Sequence, residues 1–307
     1  MCVEAQQGVA PSSTRQLGRQ LRVAFVGRLS WLHGCAPSPT HSLAPALIPV
    51  EGKAAAKHVA GALERLRPDV TVILDPLQLV SKLPDRLPGR TLGVLVEGLA
   101  DTGGERIDHL NRIISFDPAL TGAKLGRARV WRAIPPPVSD VLFMDGRALH
   151  GRPRVMSIGR STPHREAMLL PSKHHHDLLQ LIHGISGHEL AAFLRECDVG
   201  VYVPAESGGG FGLQVGIHLA AGHLLLSDPL VPSHGLERDI DYLRSGTPTD
   251  LAWLLDRLGR FPEMYRSVRV RGRLKAERFR ASSVFTRVLH DFLADVDTFG
   301  PVCGDAA

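Results

Sequence analysis

A glycine-rich segment in the second half of the chain has the composition of an anion-binding loop. It reads YVPAESGGGFGLQ over residues 202–214, between an apolar strand-like run and a helical pattern. Glycines let a ligand approach the backbone closely, and the free N–H groups at a helix start attract phosphate. The spacing matches neither the dinucleotide-binding fingerprint nor a P-loop, because no Gly-Lys-Ser/Thr triplet follows. The sequence therefore predicts an anion site, with a flexible strand-to-helix turn as the alternative.

Basic residues that follow another strand could contact the same anion. Arg160 comes directly after an apolar run at residues 154–159, and Arg165 and Lys173 come shortly afterwards. A guanidinium group binds phosphate oxygens through two parallel hydrogen bonds. Because the carboxyl ends of parallel strands meet at one edge of a sheet, Arg160 and the glycine-rich segment should face one crevice. The alternative for Arg160 is a surface arginine that caps a turn.

The histidine-rich stretch KHHHD at residues 173–177 raises the question of a metal site. Adjacent side chains diverge on a strand or a helix, so three neighbouring histidines cannot all bind one ion. A solvated turn is the favoured interpretation, and Lys173 is kept as a phosphate-contact candidate. The isolated histidines, His183, His188, His218 and His223, are each predicted to be packed or capping residues. No metal site is predicted.

The first half of the chain offers a second set of strand-end residues. Gly27 and Arg28 follow the first apolar run, and Gly34 lies in the loop beyond it. Glu97 and Asp101 follow a later apolar run, so both loops are expected to open toward one cleft between the two halves. Glu97 is a candidate acid, base or ligand-binding carboxylate, and a solvated strand-end glutamate is the alternative.

Short apolar runs alternate with helical patterns along the whole chain. The runs predict strands at residues 21–27, 69–75, 90–97, 112–116, 128–134, 154–159, 178–183, 198–203 and 223–227. Helices are predicted at residues 52–66, at 187–197, from about 212, and in succession over 249–296, with a loop between the first strand and residue 52. This alternation is typical of a doubly wound α/β sheet.

Three consecutive prolines at residues 135–137 interrupt the alternation. Proline fixes φ and lacks an N–H donor, so this run forms a stiff connector that can serve as a hinge. The predicted fold class is α/β, with two Rossmann-like domains that face a central cleft. The predicted division is a flexible leader at 1–20, an N-terminal domain at 21–136, a C-terminal domain at 137–284, and a last helix and tail at 285–307.

The composition is that of an ordinary globular protein. The 307 residues suggest two domains, and 44% are hydrophobic and 22% charged. The four cysteines include no C-x-x-C pair, which excludes a disulfide scaffold and a zinc finger. Neither a signal peptide nor a run of about 18 apolar residues is present, so a cytoplasmic location is predicted.

The net charge of +5 does not identify a partner by itself. An anionic small molecule, an acidic membrane surface and nucleic acid would all fit it. Nucleic acid is not predicted, because aromatic residues make up only 5% of the chain and cannot form a large stacking platform. A run of basic residues on a late helix reads as a solvated face, with docking to an acidic membrane surface as the alternative. Its members are Arg266, Arg269, Arg271, Arg273, Lys275, Arg278 and Arg280.

Several stretches together resemble the motifs of glycosyltransferase family 4, whose members have the two-Rossmann (GT-B) fold. IPPPV at 134–138 resembles the family's linker into the donor domain, and RVMSIGR at 154–160 resembles its V-G-R strand with a phosphate-contacting arginine. ELAAFLRECDVGVYVP at 189–204, with FGL at 211–213 and LAAG at 219–222, resembles the family's donor-loop region. The stretch at 265–285 resembles the helix before the final crossover helix.

The resemblance implies a glycosyltransferase that takes a nucleotide-diphosphate sugar as co-substrate. It further implies retention of anomeric configuration, no metal, no resident cofactor and an unknown acceptor. The implied catalytic residues are Arg160 and Glu206, and the implied acceptor side is Gly27, Arg28, Gly34 and Glu97. The residues implied to bind the donor and its phosphates are Arg165, Lys173, Gly208, Gly209, Gly210, Phe211, Gly212 and Leu213.

One departure from the family pattern concerns its two glutamates, eight positions apart. They would fall on Gly209 and Ile217, neither of which is acidic. Glu206, three residues upstream, is the hypothesised substitute carboxylate, and Arg165 is the substitute for the family's phosphate-contacting lysine. The alternative function is a catalytically inactive, glycosyltransferase-like binding protein that has kept the fold.

Overall fold

A computed structural model describes residues 19–300, apart from residues 53, 80–81, 85–86, 97–106, 108–109, 126–127, 147, 150–151, 183–184, 186 and 209. Glu97, Asp101, His183 and Gly209 therefore lie outside the described residues, as do most of the predicted leader and the end of the tail. The described part is an α/β structure with two sheets, one in each half of the chain.

The sheet of the first half has seven strands in the order β2-β1-β3-β4-β5-β7-β6. All pairs are parallel except the last, in which β6 runs antiparallel to β7. The strands are β1 (Leu21–Gly27), β2 (Leu43–Pro49), β3 (Val70–Leu74), β4 (Arg90–Leu95), β5 (Arg112–Ser115), β6 (Lys124–Leu125) and β7 (Ala128–Ala133). The helices are α1 (Leu29–Cys35), α2 (Ala55–Leu66) and α3 (Pro76–Leu79).

The sheet of the second half has five parallel strands in the order β12-β11-β10-β8-β9. Its strands are β8 (Arg154–Ile158), β9 (Asp177–Leu181), β10 (Val199–Tyr202), β11 (Leu224–Ser227) and β12 (Leu243–Arg244). Its helices are α4 (Pro163–Lys173), α5 (Gly187–Glu196), α6 (Leu213–Ala220), α7 (Pro248–Arg260), α8 (Arg266–Ala276) and α9 (Ala281–Phe299). The central strands are almost continuous apolar runs because helices cover both faces of a parallel sheet.

The two sheets are wound in the same way. In each, the first strand lies between the second and the third, so that β1 separates β2 from β3 and β8 separates β9 from β10. The winding direction reverses beside the first strand, and the loops that leave the two neighbouring strands part to form a crevice. The predicted α/β class with two parallel-sheet domains is confirmed.

The last helix, α9, joins the two halves. Phe285 on α9 packs its ring against Phe25 of β1, with centroids 4.8 Å apart. Near the end of the helix, Asp295 accepts a hydrogen bond at 2.5 Å from Arg112 of β5, whose side chain is only 2% exposed. Aromatic packing and a buried ion pair thus hold the crossover helix against the first sheet.

The predicted loop between the first strand and residue 52 is wrong. The structure has the short helix α1 and the strand β2 there. β2 contains Pro45 and Pro49, which lack the N–H donor that a central strand needs. Because β2 lies at the edge of the sheet and pairs only with β1, one side of its backbone needs no partner, and prolines are tolerated.

Candidate functional site

The crevice of the second sheet opens between the loops that follow β8 and β10. After β8, the chain turns at Gly159, whose φ is +141°, and then reaches Arg160. A Cβ atom on Gly159 would lie 2.5 Å from the Arg165 guanidinium, so this position requires glycine for both conformation and space. The Arg160 side chain is exposed, and no described residue forms an ion pair with it. Arg160 is therefore a cation at the rim of the crevice.

Arg165 is buried beneath the two loops. Its Nε donates to the carbonyl of Val203 at 2.8 Å, and its Nη1 donates to the carbonyl of Arg160 at 2.8 Å. Burial lowers the pKa of Arg165. These bonds tie the loop after β8 to the end of β10, so the guanidinium of Arg165 positions the crevice backbone.

The glycine-rich segment is held at its centre by a buried tyrosine. The hydroxyl of Tyr202 donates to the carbonyl of Gly210 at 2.6 Å, and burial raises the pKa of Tyr202 to about 12. Gly212 precedes α6 without any side-chain cap, and a Cβ there would lie 2.7 Å from the Tyr202 hydroxyl. The first N–H groups of α6 therefore face the crevice without a capping side chain, which favours an anion.

The N-terminus of α4 faces the same crevice. Thr162 caps it by accepting the N–H of Arg165 at 3.3 Å, and its hydroxyl donates to the carbonyl of Ala205 at 2.8 Å. In the first turn of α4, His164 Nε2 lies 3.4 Å from an Asp228 oxygen, and Asp228 directly follows β11. Burial raises the pKa of Asp228. The sequence analysis missed Asp228, although a polar residue directly after an apolar strand was the signal used for the other sites.

Lys173 and Glu206, both predicted site residues, have different surroundings. Lys173 ends α4, and its ammonium group pairs with Glu166 at 2.8 Å. That contact, together with a hydrogen bond from Ser161, lowers the pKa of Glu166. Glu206 is exposed in the loop after β10, and no described residue hydrogen-bonds its carboxylate. The crevice thus has Arg160 at its rim, with Lys173 engaged by a neighbouring carboxylate.

The predicted residues of the first half lie at the start of its crevice. Gly27 ends β1, where a Cβ would lie 3.0 Å from Leu74, and the Arg28 side chain hydrogen-bonds Gln78. Gly34 is buried in α1, where a Cβ would lie only 2.9 Å from Leu213. The two halves therefore touch where α1 approaches the first residue of α6, and Gly34 permits that contact.

A cavity of about 560 Å³ lies between the two halves. One wall comes from the ends of β4 and β5, and the other comes from the glycine-rich segment and the loop after β11. The lining residues are Val96, Ser115, Phe116, Asp117, Pro118, Ala119, Gly208, Gly210, Phe211, Val231 and Pro232. The sequence analysis missed the β5 end and the loop after β11, which no motif marked. Gly208, Gly210 and Phe211 are thus brought together with residues of the first half.

His234 crosses from the second half to the first beside this cavity. Its ring lies edge-on to Phe211, with centroids 4.8 Å apart, and it hydrogen-bonds the backbone of Phe116. Burial lowers the pKa of His234, although the Phe116 hydrogen bond and the charge of Asp117 oppose this shift. The imidazole is therefore neutral near pH 7 and holds the end of β5 close to the glycine-rich segment.

The predicted histidines lie in a turn and in the protein core. Residues 174–176 form a turn, as predicted, and within the described ranges no three His, Cys, Asp or Glu side chains group as a metal site requires. His218 and His223 are fully buried, which confirms their prediction as packed residues.

The basic run on and after α8 is not simply a solvated face. Arg269 donates to the Gly222 carbonyl at 2.6 Å, and Lys275 pairs with Asp241 at 2.6 Å. Arg280 pairs with Glu277 beyond the end of α8. The solvated-face prediction is wrong for these residues, because they bind protein groups.

No helix among the described residues is both long and apolar enough to cross a membrane.

Comparison with known proteins gives the fold a precedent. No protein-family profile and no curated protein sequence matches the chain. Among solved structures, Anabaena Alr3699/HepE in complex with UDP-glucose is similar with a TM-score of 0.57 at 8% identity, over 90% of this chain and 100% of that one. Sucrose-phosphate synthase from Thermosynechococcus elongatus has a TM-score of 0.57 at 11% identity, over 90% of this chain and 100% of that one. An α-glucosyltransferase in complex with UDP and a 13-mer DNA has a TM-score of 0.57 at 10% identity. The match covers 89% of this chain and 100% of that one. The fold is that of the two-Rossmann (GT-B) glycosyltransferases.

Proposed function

We propose that this protein is a glycosyltransferase that takes its sugar from a nucleotide-diphosphate donor bound in the crevice of the second sheet. One observation carries the proposal: the uncapped start of α6, preceded by the glycine-rich segment, faces the crevice at the point where the winding of the sheet reverses. The similar solved structures include complexes with UDP and UDP-glucose, which supports a nucleotide-sugar ligand.

The diphosphate would lie against the backbone N–H groups of Gly210, Phe211 and Leu213, while the N–H of Gly212 donates to the Tyr202 hydroxyl. In the transition state, negative charge builds on the departing nucleoside diphosphate. Preorganised N–H groups and the Arg160 guanidinium stabilise that charge, which is electrostatic catalysis. Arg165 contributes by fixing the two loops through its bonds to Val203 and Arg160. This arrangement needs no metal to neutralise the leaving group.

The acceptor would enter from the first half, where the cavity meets the end of β5. Retention of anomeric configuration and membership of glycosyltransferase family 4 are parts of the proposal that rest on the sequence resemblance. Closure of the halves about residues 135–137 would exclude water and limit hydrolysis of the donor. The hinge segment is tied to the start of α9, because Val138 donates to the Phe279 carbonyl at 2.7 Å and accepts from the N–H of Ala281 at 2.8 Å.

The experiment measures release of nucleoside diphosphate from UDP-glucose, UDP-N-acetylglucosamine and GDP-mannose by the full chain. Arg160→Gln should reduce the best rate by about 10- to 100-fold, because a charged hydrogen bond contributes about 1.5–3 kcal/mol. The matched control is Arg195→Gln, since Arg195 is an exposed arginine on α5 of the same half. An equal rate in both variants would contradict the role of Arg160. No release from any of the three donors, together with no binding of UDP or GDP in a calorimetric titration, would overturn the enzyme proposal.

A specific observation favours a second function, a non-catalytic binding protein of the same fold. Ile217, which replaces one of the family's glutamates, is only 4% exposed and packs in the apolar core. No carboxylate can reach a ligand from that position. Saturable binding of a nucleotide sugar, with neither transfer nor hydrolysis across the donor panel, would favour this function.

A further inference from the structure

The wall of the cavity that faces the glycine-rich segment carries one carboxylate. Asp117 follows β5 and is half-buried at the lining of the cavity. Among the described lining residues it is the only one with a charged side chain. Gly208, Gly210 and Phe211 of the second half line the same cavity. Asp117 is therefore a negative charge in the cleft next to the segment where we place the donor diphosphate.

The Asp117 carboxylate is held in place by its own turn. Its Oδ1 accepts the N–H of Ala119 at 2.9 Å, and its N–H donates to the hydroxyl of Ser115 at 3.0 Å. No described residue hydrogen-bonds its second oxygen, Oδ2. One oxygen thus orients the group, and the other is left to accept a hydrogen bond from a ligand.

The neighbouring residues do not neutralise this charge. His234 of the facing half feels the charge of Asp117, and it is already hydrogen-bonded to the backbone of Phe116. No lysine or arginine is among the described lining residues. A carboxylate in such surroundings repels phosphate, but it is a strong acceptor for hydroxyl groups. The cavity, at about 560 Å³, is within the size range of small-molecule sites, about 300–1,000 Å³.

We propose that Asp117 is a substrate-contacting residue that accepts a hydrogen bond from a sugar hydroxyl in the cleft. This inference rests on the proposed function and deepens it. The diphosphate lies on the wall of the second half, so the group that reaches Asp117 is either the transferred sugar or the hydroxyl-bearing acceptor. In both cases the group that Asp117 contacts is a hydroxyl, and the first half supplies the carboxylate that Gly209 and Ile217 do not.

The test compares Asp117→Asn with the wild-type chain. Asparagine has the same shape and can still accept the N–H of Ala119, so the turn is preserved while the charge is removed. Asp117→Ser is the second variant, because serine also caps a turn but has no carboxylate. The matched control is Asp145→Asn, since Asp145 is an exposed aspartate that does not line the cavity.

Calorimetry with UDP, GDP, UDP-glucose and GDP-mannose is combined with release of nucleoside diphosphate. The affinity for the nucleoside diphosphate alone should be unchanged in every variant. If Asp117 contacts the transferred sugar, both Asp117 variants should bind the nucleotide sugar about tenfold more weakly. If it contacts the acceptor, they should bind the nucleotide sugar normally, and release of nucleoside diphosphate should be at least about tenfold slower when a hydroxyl-bearing acceptor such as glucose is supplied.

The outcomes separate the two proposals. Unchanged sugar-nucleotide affinity together with unchanged turnover in both Asp117 variants would overturn the role of Asp117 and leave the proposed function intact. Loss of affinity for the nucleoside diphosphate itself would show that Asp117 acts only through the fold, which also overturns the inference. A wild-type chain that binds none of the four probes would instead overturn the proposed function.

Discussion

Two histidines contact each other in the core of the second half. His218 on α6 and His223 before β11 are both 0% exposed, and their Nδ1 atoms are 3.1 Å apart. His223 Nε2 lies 2.8 Å from the carbonyl of Leu194. A carbonyl only accepts, so the proton of His223 is on Nε2, and its Nδ1 accepts from the Nδ1–H of His218. A second proton on His223 would place two N–H groups against each other.

This network makes the stability of the protein sensitive to acid. Burial lowers the pKa of His223 from 6.5 to about 4 and that of His218 well below 6.5. Below pH 6.5 the unfolded chain therefore binds protons that the folded chain does not, and the free energy of unfolding falls as the pH drops toward 4. Relative to pH 7, the linkage of His223 alone should lower the free energy of unfolding by about 2 kcal/mol at pH 5.

The assay is urea unfolding at pH 7 and pH 5, with His223→Gln as the comparison. The glutamine side chain can still donate to Leu194 and accept from His218, but it does not titrate. The loss of stability between the two pH values should be about 2 kcal/mol smaller in this variant than in the wild type. Equal losses in both proteins would refute the assigned protonation of the pair.

Three further predictions concern the contacts that hold the site. Asp295→Asn removes the charge that pairs with buried Arg112, and urea unfolding should show a free energy of unfolding about 2–3 kcal/mol lower. This loss is smaller than for a fully buried pair because Asp295 is 18% exposed, and a loss below about 0.5 kcal/mol would contradict the prediction. Tyr202→Phe removes the hydrogen bond to the Gly210 carbonyl, so calorimetry should show an affinity for the nucleotide about three- to tenfold lower. An unchanged affinity would mean that this hydrogen bond does not position the glycine-rich segment for binding. Gly34→Ala places a Cβ 2.9 Å from a terminal methyl of Leu213, so thermal unfolding should show a loss of about 1 kcal/mol. Wild-type stability would mean that the Leu213 side chain moves aside at no cost.

The strands of both sheets were predictable from the sequence because their residues are buried on both faces. Runs such as 21–27 and 198–203 are rich in Val and bounded by polar or glycine residues, and each matches an observed strand within two residues at either end. β2 and α4 were not predicted, since prolines within them mask the usual periodicity: Pro45 in an edge strand, and Pro163 and Pro171 in a helix. The edge position that tolerates Pro45 depends on the tertiary structure, and Pro163 is tolerated at the first position of α4, whereas Pro171 lies inside that helix.

The candidate site was predictable only where it follows directly from strand ends. Arg160 and the glycine-rich segment lie at one edge of the second sheet because parallel strands place their carboxyl ends together. Arg165 appears in the sequence as one more cation, and only the folded chain reveals that it is buried against two backbone carbonyls. His234 reaches the backbone of Phe116, next to Asp117, only in the folded chain, and no local pattern encodes a contact between residues so distant in the chain.

Binding of a nucleoside diphosphate at the start of α6 is measured by a calorimetric titration of UDP and GDP. Gly212→Ala would press a Cβ toward the Tyr202 hydroxyl, 2.7 Å away, and disturb the backbone that we propose receives the phosphates. Gly61→Ala on α2 is the control, because its Cβ would meet only an Arg65 nitrogen at 3.7 Å. We expect one-to-one binding to the wild type and to Gly61→Ala, and about tenfold weaker binding to Gly212→Ala. Absence of binding, or equal affinity in all three proteins, would contradict the proposed binding site.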